Sequence, residues 1–234
     1  MSKLLGEKQL QVLQAIDRFG VITSAQLSEY LIGSISHVTI YNTKPKLLKL
    51  GLIGEEKIGR TLILHMKPSG VEFLGSQLTP FTKISYGNLN HQLMMNDCLL
   101  ALKYIAAKQN KYFEFITERE LRSLYLEQNF SKADRQNTTK LKSIPDRIPD
   151  FVVIENGQKI AHEVELTQKS RKRYIKKFAM YTNEILSGRY VKVRYLCESQ
   201  HIKEVVTEVA KQENFRPDSL QLELIERLMS VAKK

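Results

Sequence analysis

Three carboxylates and a lysine within residues 150–169 carry the first chemistry this sequence suggests. Asp150 follows Pro149 and opens the run Phe151-Val152-Val153-Ile154. A turn at Glu155-Asn156-Gly157 comes next, then Lys159-Ile160-Ala161-His162-Glu163-Val164-Glu165-Leu166. Asn-Gly between two runs rich in β-branched residues is a hairpin signal. Side chains alternate along a strand, so Ile160, His162, Val164 and Leu166 take one face, and Ala161, Glu163 and Glu165 the other. Asp150 opens the neighbouring strand. Carboxylates gathered this closely raise one another's pKa unless a cation sits among them. An oxygen-only set suits Mg²⁺ or Mn²⁺. The plainer structural alternative is an exposed acidic strand edge beside a basic helix.

Pro149-Asp150 with Glu163-Val164-Glu165 resembles the motif of the PD-(D/E)XK nuclease superfamily. The last position departs from the pattern, with Glu165 in place of Lys, as in some restriction enzymes of that superfamily. Lys169, at the start of the next helix, is then the basic partner. The resemblance implies metal-assisted phosphodiester cleavage, with Asp150 and Glu163 holding Mg²⁺. Glu165 would complete the metal's ligand set or orient the attacking water, and Lys169 would stabilise the pentavalent charge.

The composition suits that substrate. The 234 residues carry a net charge of +11. Residues 1–80 contribute 9 basic and 6 acidic side chains, and residues 81–234 contribute 27 and 19. A basic chain with no apolar run of membrane-spanning length points first to nucleic acid. The N-terminus has no signal-peptide apolar core. Cys98 and Cys197 are far apart and outside any CxxC, which fits a reduced cytoplasm and argues against a cysteine zinc site. The scattered histidines and the lack of a GxSxG elbow disfavour other hydrolytic or relaxase chemistries.

Two segments must position these groups. In residues 1–78, helical spacing marks 7–19, 25–31 capped by Thr23 or Ser24, and 36–50. Strands at 52–58 and 60–65 flank Gly59, and a short helix closes at 69–74. Three helices and a β-hairpin predict a winged helix-turn-helix. Its third helix offers Ser36, His37, Thr39, Asn42, Thr43, Lys44 and Lys46 to a DNA groove, with Arg60 at the wing tip. Pro45 predicts a kink or split in that helix. Gly54 to Thr61 imitates a P-loop, but Arg60 replaces its lysine and a strand follows.

Residues 78–87 are aperiodic and read as the linker. Residues 88–234 then predict a restriction-endonuclease-like α/β (α+β) domain with a mixed central sheet flanked by helices. A helix over 88–108 carries His91 and Asp97 on or near its inner face, and a strand over 112–116 leads to Glu118. These three are additional candidate site residues, with core-edge polar roles as the alternative. Residues 129–147 are basic and without period, holding Lys132, Arg135, Lys140, Lys142 and Arg147; they read as a solvated loop or a DNA-ordered arm. In the helix over 167–187, Tyr174, Phe178, Tyr181 and Ile185 face the sheet. Lys169, Arg171, Lys172, Arg173, Lys176 and Lys177 form a dense cationic run, of which Arg171, Lys172, Arg173 and Lys176 are candidate phosphate contacts. A strand over 190–196 with Val191, Val193 and Tyr195 inward follows, then a helix over 202–211. A last strand from Leu220 passes into a terminal helix.

A winged helix before a nuclease-like domain narrows the resemblance to the plasmid replication-relaxation family and the related MobC-type mobilisation relaxases. Lys67-Pro68-Ser69-Gly70-Val71-Glu72-Phe73-Leu74, His91 with Asp97, Arg147-Ile148-Pro149-Asp150, His162 to Ser170, and Arg173-Tyr174 carry it. It implies a cytoplasmic protein that nicks or processes double-stranded DNA at a plasmid origin. Other mobilisation or replication proteins and a second copy of the chain are the implied partners. The alternative is a non-enzymatic replication or transcription regulator with a degenerate nuclease-like domain.

Overall fold

The computed structural model describes residues 5–79, 86–131 and 133–233. Most of the expected linker, residues 80–85, and Lys132 of the basic arm lie outside them. The protein is mixed α/β with two sheets and divides into compact units of residues 1–100 and 101–234. Among the described residues no helix is long and apolar enough to cross a membrane.

The first unit runs α1 (Glu7–Phe19), β1 (Val21–Thr23), α2 (Ser24–Tyr30), α3 (His37–Lys49), β2 (Ile53–Ile58), β3 (Thr61–Met66), α4 (Pro68–Leu74) and the first part of α5 (Tyr86–Lys108). The division between units falls inside α5. The sheet has the antiparallel order β1-β3-β2. Three-residue β1 has no counterpart in the sequence reading, because it is too short to show a period. The cap of α2 is reciprocal: Gln26 N donates to the Thr23 hydroxyl at 3.0 Å and Thr23 N to Gln26 Oε1 at 3.1 Å. Leu13, Ile16, Ile22, Leu27, Leu47, Ile53 and Ile63 fill the core. α3 runs unbroken through Pro45, contrary to the expected split. Pro45 is exposed, so the Tyr41 carbonyl it fails to serve is left to water.

The second unit continues with β4 (Glu114–Thr117), α6 (Glu118–Asn129), α7 (Thr138–Lys142), β5 (Phe151–Glu155), β6 (Gln158–Glu165), α8 (Arg171–Leu186), β7 (Lys192–Cys197), α9 (Gln200–Gln212), β8 (Leu220–Leu224) and α10 (Ile225–Lys233). The sheet order is β4-β5-β6-β7-β8. β4, β5 and β6 pair antiparallel, whereas β6–β7 and β7–β8 are parallel and need α8 and α9 as crossovers. Asn156 and Gly157, at φ 51° and 76°, make the two-residue turn between β5 and β6. Tyr174, Phe178 and Tyr181 of α8 pack on Val152, Ala161, Val193 and Tyr195 of the sheet. Val191, expected inward, precedes β7 and is exposed. Within 129–147, α7 and two 3-10 turns stand where the sequence shows no period.

His162 lies on the sheet face opposite Ala161. It forms a cross-strand row with its partners Phe151 and Arg194, and Gln221 beyond. Its ring stacks on Phe151 at 4.6 Å between centroids. Nδ1 lies 3.0 Å from the Ile160 carbonyl and Nε2 3.3 Å from Arg194 Nη1. That pairing makes Nδ1 the donor and Nε2 the acceptor of a neutral ring. Burial, reinforced by the Arg194 charge, holds its pKa well below 6.5. The unfolded chain therefore takes up this proton first as pH falls. The stability His162 contributes is complete above pH 6.5 and is lost below it. His162→Gln should accordingly flatten the fall in melting temperature below that pH, measured as the difference between variant and parent.

Candidate functional site

The register brings the acidic residues together. Phe151 pairs with His162, so one step back Asp150 stands beside Glu163, and Asp150 N donates to the His162 carbonyl at 3.0 Å. Thr117 pairs with Phe151, and Glu118 follows as the first residue of α6, just past the end of that pairing. The Asp150 carboxylate reaches across to accept Val164 N at 2.7 Å. It serves a strand amide that lies beyond the β5–β6 pairing, which ends at Phe151 and His162.

Glu163 and Glu165 project toward α8, and both are buried. This overturns the alternative of an exposed acidic edge. Each carboxylate has its own ammonium group. Lys177 Nζ donates to Glu163 Oε1 at 2.7 Å and to the Ile148 carbonyl at 2.8 Å, and the Tyr181 hydroxyl also donates to Glu163 Oε1. Lys169 Nζ donates to Glu165 Oε1 at 2.8 Å, and Lys169 N to the Tyr174 hydroxyl at 3.2 Å. Burial works to lower the Lys169 pKa, but Glu163, Glu165 and Asp150 outweigh it and hold the pKa above the ordinary lysine value. Burial pushes Glu165 up to about 7 against the pull of Lys169, with Glu163 and Asp150 adding to the rise. Glu165 Oε2 is buried without a hydrogen-bond partner among the described residues.

Lys177, a member of the cationic run in the sequence, is not solvated with its neighbours but only 7% exposed. A signal for this is present in the sequence: Lys177 stands three residues after Tyr174 and four before Tyr181, within the stripe that faces the sheet. Tyr181 and Tyr195, which the sequence pattern places only in the core, also line this centre. Asp97 takes part in the first unit, accepting a hydrogen bond from Gln26 Nε2 at 2.6 Å. Burial raises its pKa, and that hydrogen bond works the other way. His91 is half-buried on α5 in the same unit.

Among the described residues no group of three His, Cys, Asp or Glu is arranged to hold a metal ion. The expected three-ligand cradle is therefore absent there, because lysines occupy Oε1 of both Glu163 and Glu165. A divalent ion would have to be held through fewer carboxylates. Mg²⁺ keeps several waters and binds through one or two carboxylates. Asp150 and Glu165, whose charges act on each other, are the carboxylates that could do so.

On α3, His37, Asn42 and Lys46 are exposed, as are Val38 and Tyr41 at 66% and 64%. Thr39 is half-buried. Thr43, expected outward, is buried and donates to the Thr39 carbonyl at 2.7 Å. Lys44 is half-buried and reaches the Ser24 hydroxyl at 3.1 Å, while Lys46 reaches Gln9 Oε1 at 2.9 Å. Ser36 caps the helix by accepting Thr39 N at 3.2 Å. Arg60 is exposed in the β2–β3 turn. On α8, Arg171, Lys172, Arg173 and Lys176 are exposed; Arg171 bonds Gln212 and Arg173 lies 3.3 Å from Asp146.

Lys177→Met should cost about 3 kcal/mol or more in urea unfolding, because it leaves Glu163 buried without its cation. Glu165→Gln should behave oppositely. The folded pKa of Glu165 lies above 4.5, so its ionisation costs stability as pH rises from 4.5 to about 7, and the variant gains on the parent across that window.

No protein-family model, curated protein or solved structure matches this chain, so these assignments rest on its own residues.

Proposed function

We propose that the chain binds double-stranded DNA and cleaves a phosphodiester at a plasmid origin with the help of Mg²⁺ or Mn²⁺. In this reading residues 1–78 are a winged helix-turn-helix that presents α3 and Arg60 to DNA. Residues 88–234 are a restriction-endonuclease-like domain. Its order of helix, antiparallel hairpins, crossover helix and parallel strand supports that assignment.

The observation that carries the reading is the charge balance of the buried centre. Asp150, Glu163 and Glu165 face two ammonium groups, Lys169 and Lys177. One negative charge is left when Glu165 is ionised, and it repels a phosphodiester. A divalent cation reverses the sign and makes the centre attractive to one phosphate. Asp150 and Glu165 would hold such an ion, which supplies positive charge to the phosphoryl oxygens and the leaving group when bound. Glu163 is held by Lys177 and Tyr181 and acts by position. Lys169, whose side chain is 21% exposed, would meet the phosphate. The cations on the outer face of α8 suit a sugar–phosphate backbone.

A second reading, a non-enzymatic DNA-binding regulator, is favoured by the two lysines that already neutralise two of the carboxylates. Incubation of supercoiled origin plasmid with the full chain, with and without Mg²⁺ or Mn²⁺, separates the two. Nicked circles should appear only with metal, and Asp150→Asn and Glu165→Gln should abolish them while DNA affinity persists. No metal-dependent nicking by the parent would leave the regulator as the better account. Changing Arg171, Lys172 and Lys176 to Gln should weaken DNA binding and flatten its salt dependence by roughly 0.9 in log–log slope for each phosphate no longer neutralised. Affinity equal to the parent's would return α8 to a solvated face.

A further inference from the structure

Tyr195 continues the row of Asp150 and Glu163: it is the β7 partner of Glu163 and shares its face of the sheet. It is fully buried, with the Phe178 ring 5.7 Å away between centroids. Its hydroxyl has no hydrogen-bond partner among the described residues. The same is true of Glu165 Oε2, two residues along β6 on the same face. Burial, with the charges of Glu163 and Glu165 next, pushes the Tyr195 phenol well above its usual range. The hydroxyl is therefore a standing donor within electrostatic reach of an acceptor that lacks one. The two atoms do not bond directly. Each, if left unmet, would carry the desolvation penalty of a buried polar group. A buried donor and acceptor beyond direct reach are the partners that a single water molecule satisfies.

We propose that one buried water bridges the Tyr195 hydroxyl and Glu165 Oε2. Through it Tyr195 is a positioning residue, holding the Glu165 carboxylate with its other oxygen on Lys169. The catalytic consequence rests on the nuclease reading of the centre, whereas the bridge itself does not.

A double-mutant cycle on the full chain tests the bridge by urea unfolding. Tyr195→Phe and Glu165→Met each remove the polar atom and nearly keep the volume. If one water serves both atoms, the second change removes a group already unmet. The double variant's unfolding constant should then depart about tenfold from the product of the single effects, whereas agreement within about twofold overturns the bridge. A crystal structure that resolves ordered water should show one within hydrogen-bond distance of both atoms. Empty density there overturns the proposal even if Glu165→Met does not fold. In plasmid nicking, Tyr195→Phe should lower turnover several-fold with DNA affinity unchanged; unchanged turnover overturns the positioning role. A parent that never nicks defeats the nuclease reading, while the cycle and the density still decide the bridge.

Discussion

The buried ion pair between Lys177 and Glu163 is the interaction on which the polar half of the second unit depends. Taking both charges out of water costs several kcal/mol per ion, and a well-packed apolar pair in their place is often as stable or more so. Its value is therefore positional. Lys177 also holds the Ile148 carbonyl, two residues before Asp150. One ammonium group thus ties α8, β6 and the approach to β5 together. The Tyr181 hydroxyl closes on the same Glu163 oxygen from the next turn of α8. Asp150 then fastens itself to β6 on either side of Glu163, through the His162 carbonyl and Val164 N.

Strand alternation keeps two kinds of buried polarity apart. On one face His162 is stacked and neutral, facing Arg194; on the other the carboxylates face lysines and tyrosines. Their pKa values shift in opposite senses to the same effect. Burial lowers that of His162 and raises that of Glu165, each toward the uncharged form. Of the two, Glu165 has its pKa brought to about 7, and it is also the carboxylate with an oxygen unmet among the described residues.

The first unit concentrates its polar interest on α3. Several of its side chains have work inside the unit: Thr43 bonds its own helix, Lys44 reaches α2, and Lys46 reaches α1. What remains most open is a mixed surface of His37, Val38, Tyr41 and Asn42. The helix contains no acidic residue. Its lysines lie toward its C-terminal half, and apolar and amide groups occupy the open surface.

Much of this was legible in the sequence, wherever a local rule governs. The Asn156-Gly157 turn, the alternation that puts Glu163 and Glu165 on one face, the aromatic stripe of α8 and the strand-then-helix ending all follow from short-range geometry. β1 was not legible, since three residues carry no period. The continuity of α3 through Pro45 was not, since it depends on which side of the helix meets water. Nor was the fate of the charges. By itself the sequence determined that Asp150, Glu163, Glu165 and Lys169 would share one end of a hairpin. Only the tertiary structure decided that Lys177 turns inward to Glu163, that Asp97 serves the first unit, and that Tyr195 joins the carboxylates from a parallel strand. Those outcomes depend on pairings distant in sequence, and on the desolvation that decides whether a buried charge finds its partner.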